Sequence, residues 1–248
     1  MHYKLTGIKA KIERSKEHIH NLDWCIRTLR NLDPHSVLVE IDPQTGEKRH
    51  KFFALPIPHR IPIMIGEALY QLRSALDHLA CRLVVANHGA DIEKTAFPIY
   101  NCPAKYKSES PRQVKGIHPD AERALESVQP YQTGYSRLGL IQDLNNIDKH
   151  RLVFQCAHVP DRIEITGFEN PARLTVPEEI VAKLREPTWF EDGAIILRLA
   201  SEDEYYLDFT TAITLAYPAI LQGEPILEFL AQSADFVENL IERFEPFL

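Results

Sequence analysis

The chain has 248 residues, of which 44% are hydrophobic, and its 35 Asp and Glu against 28 Lys and Arg give a formal net charge of −7. This length and apolar content suffice for one domain with a sizeable core. The acidic balance argues against a protein that coats nucleic acid generally, because phosphate binding depends on accumulated Lys and Arg.

The cysteines and the first residues indicate a protein of the reducing cytoplasm. The 4 cysteines are scattered and form no Cys-x-x-Cys pair, which argues against a thiolate zinc site and against a disulfide framework. The N-terminal residues lack the apolar core of a signal peptide, and no apolar run approaches the roughly 20 residues that cross a bilayer. We therefore expect a cytoplasmic protein with free thiols and no membrane partner.

The first part of the chain predicts a long helix, a β-hairpin and a second long helix. Apolar residues recur at three- and four-residue steps over residues 5–32, which is the pattern of an amphipathic helix. Two runs with strand propensity flank a polar turn within residues 36–56 and predict a hairpin. Residues 63–88 carry a near-heptad stripe of leucine and isoleucine and predict the strongest helix.

The middle of the chain predicts shorter helices and then strands. Residues 90–118, which include Pro98, Pro103 and Pro111, are predicted to be irregular. Two helices follow, a short one over residues 121–128 and a longer one over residues 135–151. The strand signals come after residue 152. They cover residues 153–159, 162–168 and 172–176, with residues 194–199 and 204–209 as a second hairpin.

A last helix over residues 224–246 completes an α+β fold class. We expect a single domain, 1–248, with a helical bundle, a β-hairpin and an antiparallel sheet inserted before the C-terminal helix. The helical body takes residues 1–34, 62–151 and 222–248, the hairpin takes residues 36–56, and the β-rich insertion takes residues 152–212.

A polar run, Arg73 to His78, interrupts the leucine-rich helix. Arg73 falls at the edge of the leucine stripe, and Asp77 lies one turn further on, so the two can form an i,i+4 ion pair. His78 points nearly away from the stripe. One interpretation is a solvated ion pair beside a surface histidine. The other is a cleft in which Arg73 holds an anion and His78 moves a proton.

A second polar run, Asn145 to Arg151, ends the helix of residues 135–151. Asp148 falls within the apolar arc of that helix, and a buried carboxylate requires a partner. Arg73 is the best candidate for Asp148, and Arg151 can similarly meet Asp77. This interpretation is a structural charge network that braces two helices. Its members are Asp77, Asp148, Lys149 and Arg151.

Two further kinds of site were weighed. Adjacent Asp-His pairs point about 100° apart on a helix, so they do not converge on a metal, and we expect neither a metal nor a cofactor. The predicted hairpin carries a basic cluster with aromatic neighbours, which either contacts a phosphate backbone or forms a charged edge strand that resists aggregation. The candidates for nucleic-acid contact are Lys48, Arg49, Lys51 and Arg60.

Several segments resemble a widespread group of uncharacterised bacterial and phage proteins, which has no agreed activity to transfer. The resemblance lies in Leu69 to Leu79, Phe97 to Ile99, Gln129 to Tyr131 and Leu144 to Arg151. The Arg73-Ser74 pair with His78 also resembles the motif of the HEPN superfamily, whose members are helical bundles and often metal-independent ribonucleases. The second run resembles that motif with Asn145 in place of the arginine and His150 as its histidine.

The HEPN resemblance implies a ribonuclease of phage defence or of a toxin system. His78 or His150 would deprotonate a ribose 2′-hydroxyl, and Arg73 would stabilise the charge on the phosphoryl oxygens. Such sites are usually built across a dimer, so we expect RNA as substrate and a homodimer. The alternative is a non-catalytic binding or scaffold protein in which the polar runs form the structural charge network.

Overall fold

The computed structural model describes residues 5–31, 35–88, 92–151, 153–167, 193, 195–199 and 205–248. Over these residues the chain forms six α-helices and five β-strands, and all strand pairs are antiparallel. The predicted α+β fold class is therefore confirmed. The chain divides into a helical unit 1 and a β-rich unit 2. Unit 1 takes residues 1–22, 62–153 and 229–248, and unit 2 takes residues 23–61 and 154–228.

The helices follow the predicted apolar periodicity closely, with one exception. Their bounds are α1 Thr6–Asn31, α2 Arg60–Ala86, α3 Pro103–Gln113, α4 Pro119–Ser127, α5 Ser136–His150 and α6 Ile226–Phe244. The exception is α3, which lies in a stretch predicted to be irregular. Pro103 stands in the first turn of α3, where its missing N–H removes no helical hydrogen bond. Pro103, which favoured an irregular stretch in the sequence, therefore begins a helix.

Unit 1 has a continuous apolar core to which α1, α2, α4, α5 and α6 contribute. The stripe of α2 is fully buried in it, as the leucine periodicity predicted. Aromatic rings also pack in this core: Phe244, the last residue of α6, meets Phe97 edge to face, with the ring centroids 6.2 Å apart. The core residues of α2 are Leu72, Ala75, Leu76, Leu79, Ala80, Leu83 and Val84.

Unit 2 contains the predicted hairpin, formed by β1 (His35–Ile41) and β2 (Lys48–Ala54). The turn closes with two backbone hydrogen bonds, from Asp42 N to Glu47 O and from Gly46 N to Asp42 O, each 2.8 Å long. Gly46 has a φ of 74°, a conformation that glycine adopts without steric cost. The polar turn therefore fixes the register in which β1 and β2 pair.

The later strands pair differently from the prediction. β4 (Ile195–Leu199) pairs with β2, so the three-stranded sheet has the order β1-β2-β4. β5 (Tyr205–Tyr217) pairs instead with β3 (Gln155–Gly167) in a two-stranded sheet. The predicted hairpin of residues 194–199 with 204–209 is therefore wrong, because each of these runs finds a partner distant in sequence. The strand predicted at residues 172–176 lies outside the described residues.

β3 joins two segments that were predicted as separate strands, residues 153–159 and 162–168. It continues through Pro160 by means of a register shift between Pro160 and Arg162. Such a bulge removes the ladder hydrogen bond that a proline cannot donate. No helix among the described residues has both the length and the apolar run that a bilayer crossing requires.

Candidate functional site

Arg73 is held inside unit 1 by two partners. Its Nη2 donates a 2.8 Å hydrogen bond to the carbonyl oxygen of Phe97 and lies 3.0 Å from Oδ1 of Asp77. The same Asp77 oxygen accepts a 2.9 Å hydrogen bond from the backbone N–H of Phe97. The i,i+4 pair predicted from the spacing is confirmed. The sequence did not indicate that both side chains also bond to the backbone of Phe97, in a loop distant along the chain.

The surroundings of Arg73 are those of a structural residue. Its exposed fraction is 7%, and burial lowers the pKa of its guanidinium while the charge of Asp77 opposes this effect. The charge of the guanidinium is paired with Asp77 and its Nη2 is bonded, whereas the buried Nη1 has no hydrogen-bond partner among the described residues. Arg73 therefore presents little surface to a phosphate ligand, and its energetic role lies in the contact with Phe97.

A second side chain completes the hold on this loop. We name residues 97–100 the Phe97 segment. Gln129 is fully buried; its Nε2 donates to Pro98 O and Leu125 O at 2.9 Å each, and its Oε1 accepts from Tyr100 N at 3.0 Å. Side chains of α2 and of the loop after α4 thus satisfy backbone groups of the Phe97 segment, as a neighbouring strand would.

The Phe97 segment was not among the predicted site residues. The sequence nevertheless contained an indication of this segment. The runs Phe97 to Ile99 and Gln129 to Tyr131, like the Arg73 run, resemble the group of bacterial and phage proteins. The structure relates these runs physically, because Arg73, Asp77 and Gln129 all bond to the same stretch of backbone. The side chains of these runs therefore form one hydrogen-bond network with the backbone of the Phe97 segment.

The second polar run lies on α5 and contacts α2 at a different level from Arg73. The carboxylate of Asp148 packs against Gly66, where an added methyl group would lie 2.5 Å from both carboxylate oxygens. Asp77 is eleven residues beyond Gly66, so the two carboxylates are separated by about 16 Å along the helix axis. The expected pairing of Asp148 with Arg73 is therefore wrong, because Arg73 bonds to Asp77 and Phe97.

The other members of the predicted charge network are also distributed. Lys149 lies over the ring of Tyr70, with Nζ 4.8 Å from the centroid, a cation–π contact. Arg151 is exposed at the end of α5, where its backbone N–H donates to Ile147 O at 3.0 Å. It does not take the place of Arg73 beside Asp77. The polar runs thus form two local clusters at different levels of α2.

The two candidate catalytic histidines are exposed. His78 lies twelve residues beyond Gly66 on α2, which is about 18 Å along the axis. His150 follows Asp148 by two residues and stands at the Gly66 level of α2. One copy of the chain therefore does not bring His78 and His150 together. Their catalytic roles stay a prediction that requires a second copy.

The basic cluster of the hairpin is largely paired. Arg49 forms an ion pair with Asp42, and Lys51 Nζ lies 2.6 Å from Oε2 of Glu40. β2 is the middle strand of its sheet, so the interpretation as a charged edge strand is wrong. Nucleic-acid contact through Lys48, Arg49, Lys51 and Arg60 stays a prediction. The paired acids reduce the positive charge available for phosphate.

A pocket of about 430 Å³ opens in unit 1 beside Gly66, and we name it the Gly66 pocket. Asp148 and Glu67 are among the residues that line it. His18, which is largely buried, has Nδ1 3.2 Å from Oε2 of Glu67. The remaining lining residues are Arg14, Ile63, Gly66, Tyr70, Gln71 and Val153.

The negative charge of the Asp148 carboxylate is not balanced by a directly bonded cation among the described residues. Burial raises its pKa, Lys149 opposes the rise, and the negative charge of Glu67 adds to it. Asp148 makes no ion pair within 4.0 Å with a described residue. The described residues contain no group of three or more metal-ligating side chains, so the structure supplies no ready metal centre here.

Comparison with known proteins gives no relative: no family model, curated protein or solved structure matches the chain.

Proposed function

We propose that this chain is a non-catalytic binding protein in which the Arg73 and Asn145 runs stabilise the helical unit. The observation that supports this most directly is the position of Arg73, whose guanidinium is buried and bonded to Phe97 O and Asp77. The open Gly66 pocket supports the binding function, since concave sites of this size with a few polar groups are typical of small-molecule sites.

The geometry gives less support to the HEPN-like ribonuclease mechanism. Phosphoryl stabilisation would require the Arg73 guanidinium to reach solvent and to leave Phe97 O and Asp77. That movement would take the counter-charge from the partly buried Asp77 carboxylate and leave the Phe97 carbonyl without its donor, at a cost of about 3 kcal/mol. The ribonuclease also requires a dimer, whereas the binding function does not.

A ribonuclease assay distinguishes the two functions. Purified wild-type protein, His78→Ala and Arg82→Ala are incubated with single-stranded RNA in the presence of a chelator. We expect no cleavage above a buffer control in any sample. Arg82 is exposed one turn after His78, so its substitution controls for a change of surface on the same helix. Cleavage that survives the chelator and disappears only in His78→Ala would contradict the binding function.

The oligomeric state provides an independent measurement. Light scattering over a micromolar concentration range gives the mass in solution for the wild type and for His78→Ala. The ribonuclease mechanism requires a dimer, whereas the proposed binding function is compatible with a monomer of 28.5 kDa.

A further inference from the structure

The Gly66 pocket has the composition of a site for a charged head group on an apolar body. Two acids, Asp148 and Glu67, are among its lining residues together with His18, and Glu67 is half exposed and paired with His18. The cation of the lining, Arg14, is engaged with Glu17 at 2.7 Å. The pocket therefore offers hydrogen-bond acceptors and negative charge to an incoming group.

Part of the pocket lining is apolar and exposed. It consists of Ile63, Tyr70 and Val153, whose exposed fractions are 51%, 45% and 55%. Large apolar side chains that surround a polar pocket are a frequent feature of ligand sites, because they bury the ligand body while the polar groups fix its orientation. An anionic ligand would be repelled by Asp148, which has no ion-pair partner among the described residues, and a small hydrated ion would leave the apolar lining residues uncovered.

Gly66 makes this arrangement available. Without a side chain at this position the Asp148 carboxylate lies directly against α2, and a methyl group there would meet both of its oxygens at 2.5 Å. Glycine inside a helix costs about 1 kcal/mol relative to alanine. Gly66 therefore lowers the stability of α2 but leaves room for the Asp148 carboxylate. That exchange is typical of a binding site.

We propose that the Gly66 pocket binds an organic cation, namely a primary ammonium or guanidinium group attached to an apolar body of several carbons. The cation lies between Asp148 and Glu67, where each N–H donates to a carboxylate oxygen. The apolar body packs on Ile63 and Val153 beside Tyr70, whose ring also contacts Lys149 Nζ at 4.8 Å. This inference names the ligand class of the binding function proposed above, and it rests on that function.

Hexylammonium is the probe for a direct test, with hexanol, hexanoate and Mg²⁺ as comparison ligands. Titration of ¹⁵N-labelled protein is followed through the backbone amides of Gly66 and Glu67. We expect hexylammonium to shift both signals saturably and hexylguanidinium to act likewise. Hexanol and hexanoate are expected to bind at least about tenfold more weakly, since they lack the charge-assisted hydrogen bonds.

The matched variants are Asp148→Asn, which preserves shape and removes charge, and Glu245→Gln, an exposed acid that does not line the pocket. We expect Asp148→Asn to weaken hexylammonium binding at least about tenfold and Glu245→Gln to leave it unchanged. Urea unfolding of Asp148→Asn verifies that the variant is folded. Hexylammonium binding that Asp148→Asn leaves unchanged, or Mg²⁺ binding at the same amides in preference to hexylammonium, overturns the proposal.

The outcome is distinguishable from a failure of the binding function itself. Binding of hexanol or hexanoate in place of hexylammonium would retain a binding protein and reject the cationic ligand. Chelator-resistant RNA cleavage that depends on His78 would reject the binding function, whatever the pocket takes up. No shift with any of the probes rejects the organic cation as ligand.

Discussion

Arg73 and Asp77, one turn apart on α2, bind the two backbone polar groups of a single residue: Arg73 donates to the carbonyl of Phe97, and Asp77 accepts from its N–H. Their own ion pair of 3.0 Å holds the two side chains in register for this contact. The pair thereby substitutes for a neighbouring β-strand at an isolated extended segment. Buried backbone groups without such partners would each cost roughly 1–3 kcal/mol.

Replacement of Arg73 by alanine is expected to lower the free energy of unfolding by about 3 kcal/mol. The variant leaves Phe97 O without a donor and Asp77 without its counter-charge. Urea denaturation monitored by circular dichroism measures the change. Arg82→Ala, on the exposed side of α2, is the control and is expected to stay within about 0.5 kcal/mol of the wild type. Equal stability of the two variants would refute a structural role for Arg73.

Gln129→Leu is expected to cost about 3 kcal/mol, because it removes the hydrogen bonds to Pro98 O, Leu125 O and Tyr100 N from a fully buried site. Gln132→Ala, at an exposed neighbouring position, serves as the control. Both measurements use the same urea titration. A loss below about 1 kcal/mol for Gln129→Leu would show that water satisfies these backbone groups in the variant.

Gln129→Leu combined with Arg73→Ala tests whether the two side chains act on one segment. Each single variant releases part of the Phe97 segment, so the second substitution has less structure left to disrupt. The double variant is expected to fall short of the sum of the single losses by about 1 kcal/mol. Strict additivity would instead indicate that Arg73 and Gln129 stabilise unit 1 independently.

Gly66→Ala is expected to leave stability close to that of the wild type while it weakens hexylammonium binding. The new methyl group displaces the Asp148 carboxylate, which is the mobile end of a side chain, and the helix gains about 1 kcal/mol from the better propensity of alanine. Urea unfolding and the amide titration measure the two effects separately. Unaltered binding in Gly66→Ala would mean that the carboxylate position is not required.

Asp148→Asn is expected to be at least as stable as the wild type at pH 7. Because the native pKa of Asp148 is raised above its ordinary 3.8, ionisation in the folded state is unfavourable, and the native state binds the proton more tightly than the unfolded state. The charged and titratable neighbours are Glu67 and Lys149, with His18 and Arg14 on α1 also lining the pocket or close to it.

The sign of the pH dependence follows from this raised pKa. As the pH falls through the native pKa of Asp148, the wild type gains stability relative to Asp148→Asn, and the difference closes once the pH is below 3.8. Parallel urea titrations of both proteins from pH 7 downward measure it. A wild type that loses stability relative to Asp148→Asn on acidification would indicate a stabilising ion pair of Asp148.

Local spacing was sufficient for part of the candidate site. The i,i+4 separation of Arg73 and Asp77 predicted their ion pair, because α-helix geometry places such residues on one face. The partners across the fold were not predictable in this way. Asp148 was assigned to Arg73 on the argument that a buried carboxylate needs a counter-charge, yet it lies against Gly66 and is only partly buried.

The sequence by itself determined the α+β class, the first hairpin and five of the six helices that the described residues form, since these depend on periodicities and turn residues within a short window. Only the tertiary structure decided that β4 pairs with β2, that Arg73 and Gln129 bond to the Phe97 segment, and that a pocket opens at Gly66. The physical reason is that these features join residues far apart in the chain. Hydrogen-bond donors and acceptors are interchangeable in sequence and acquire specific partners only when packing brings them together.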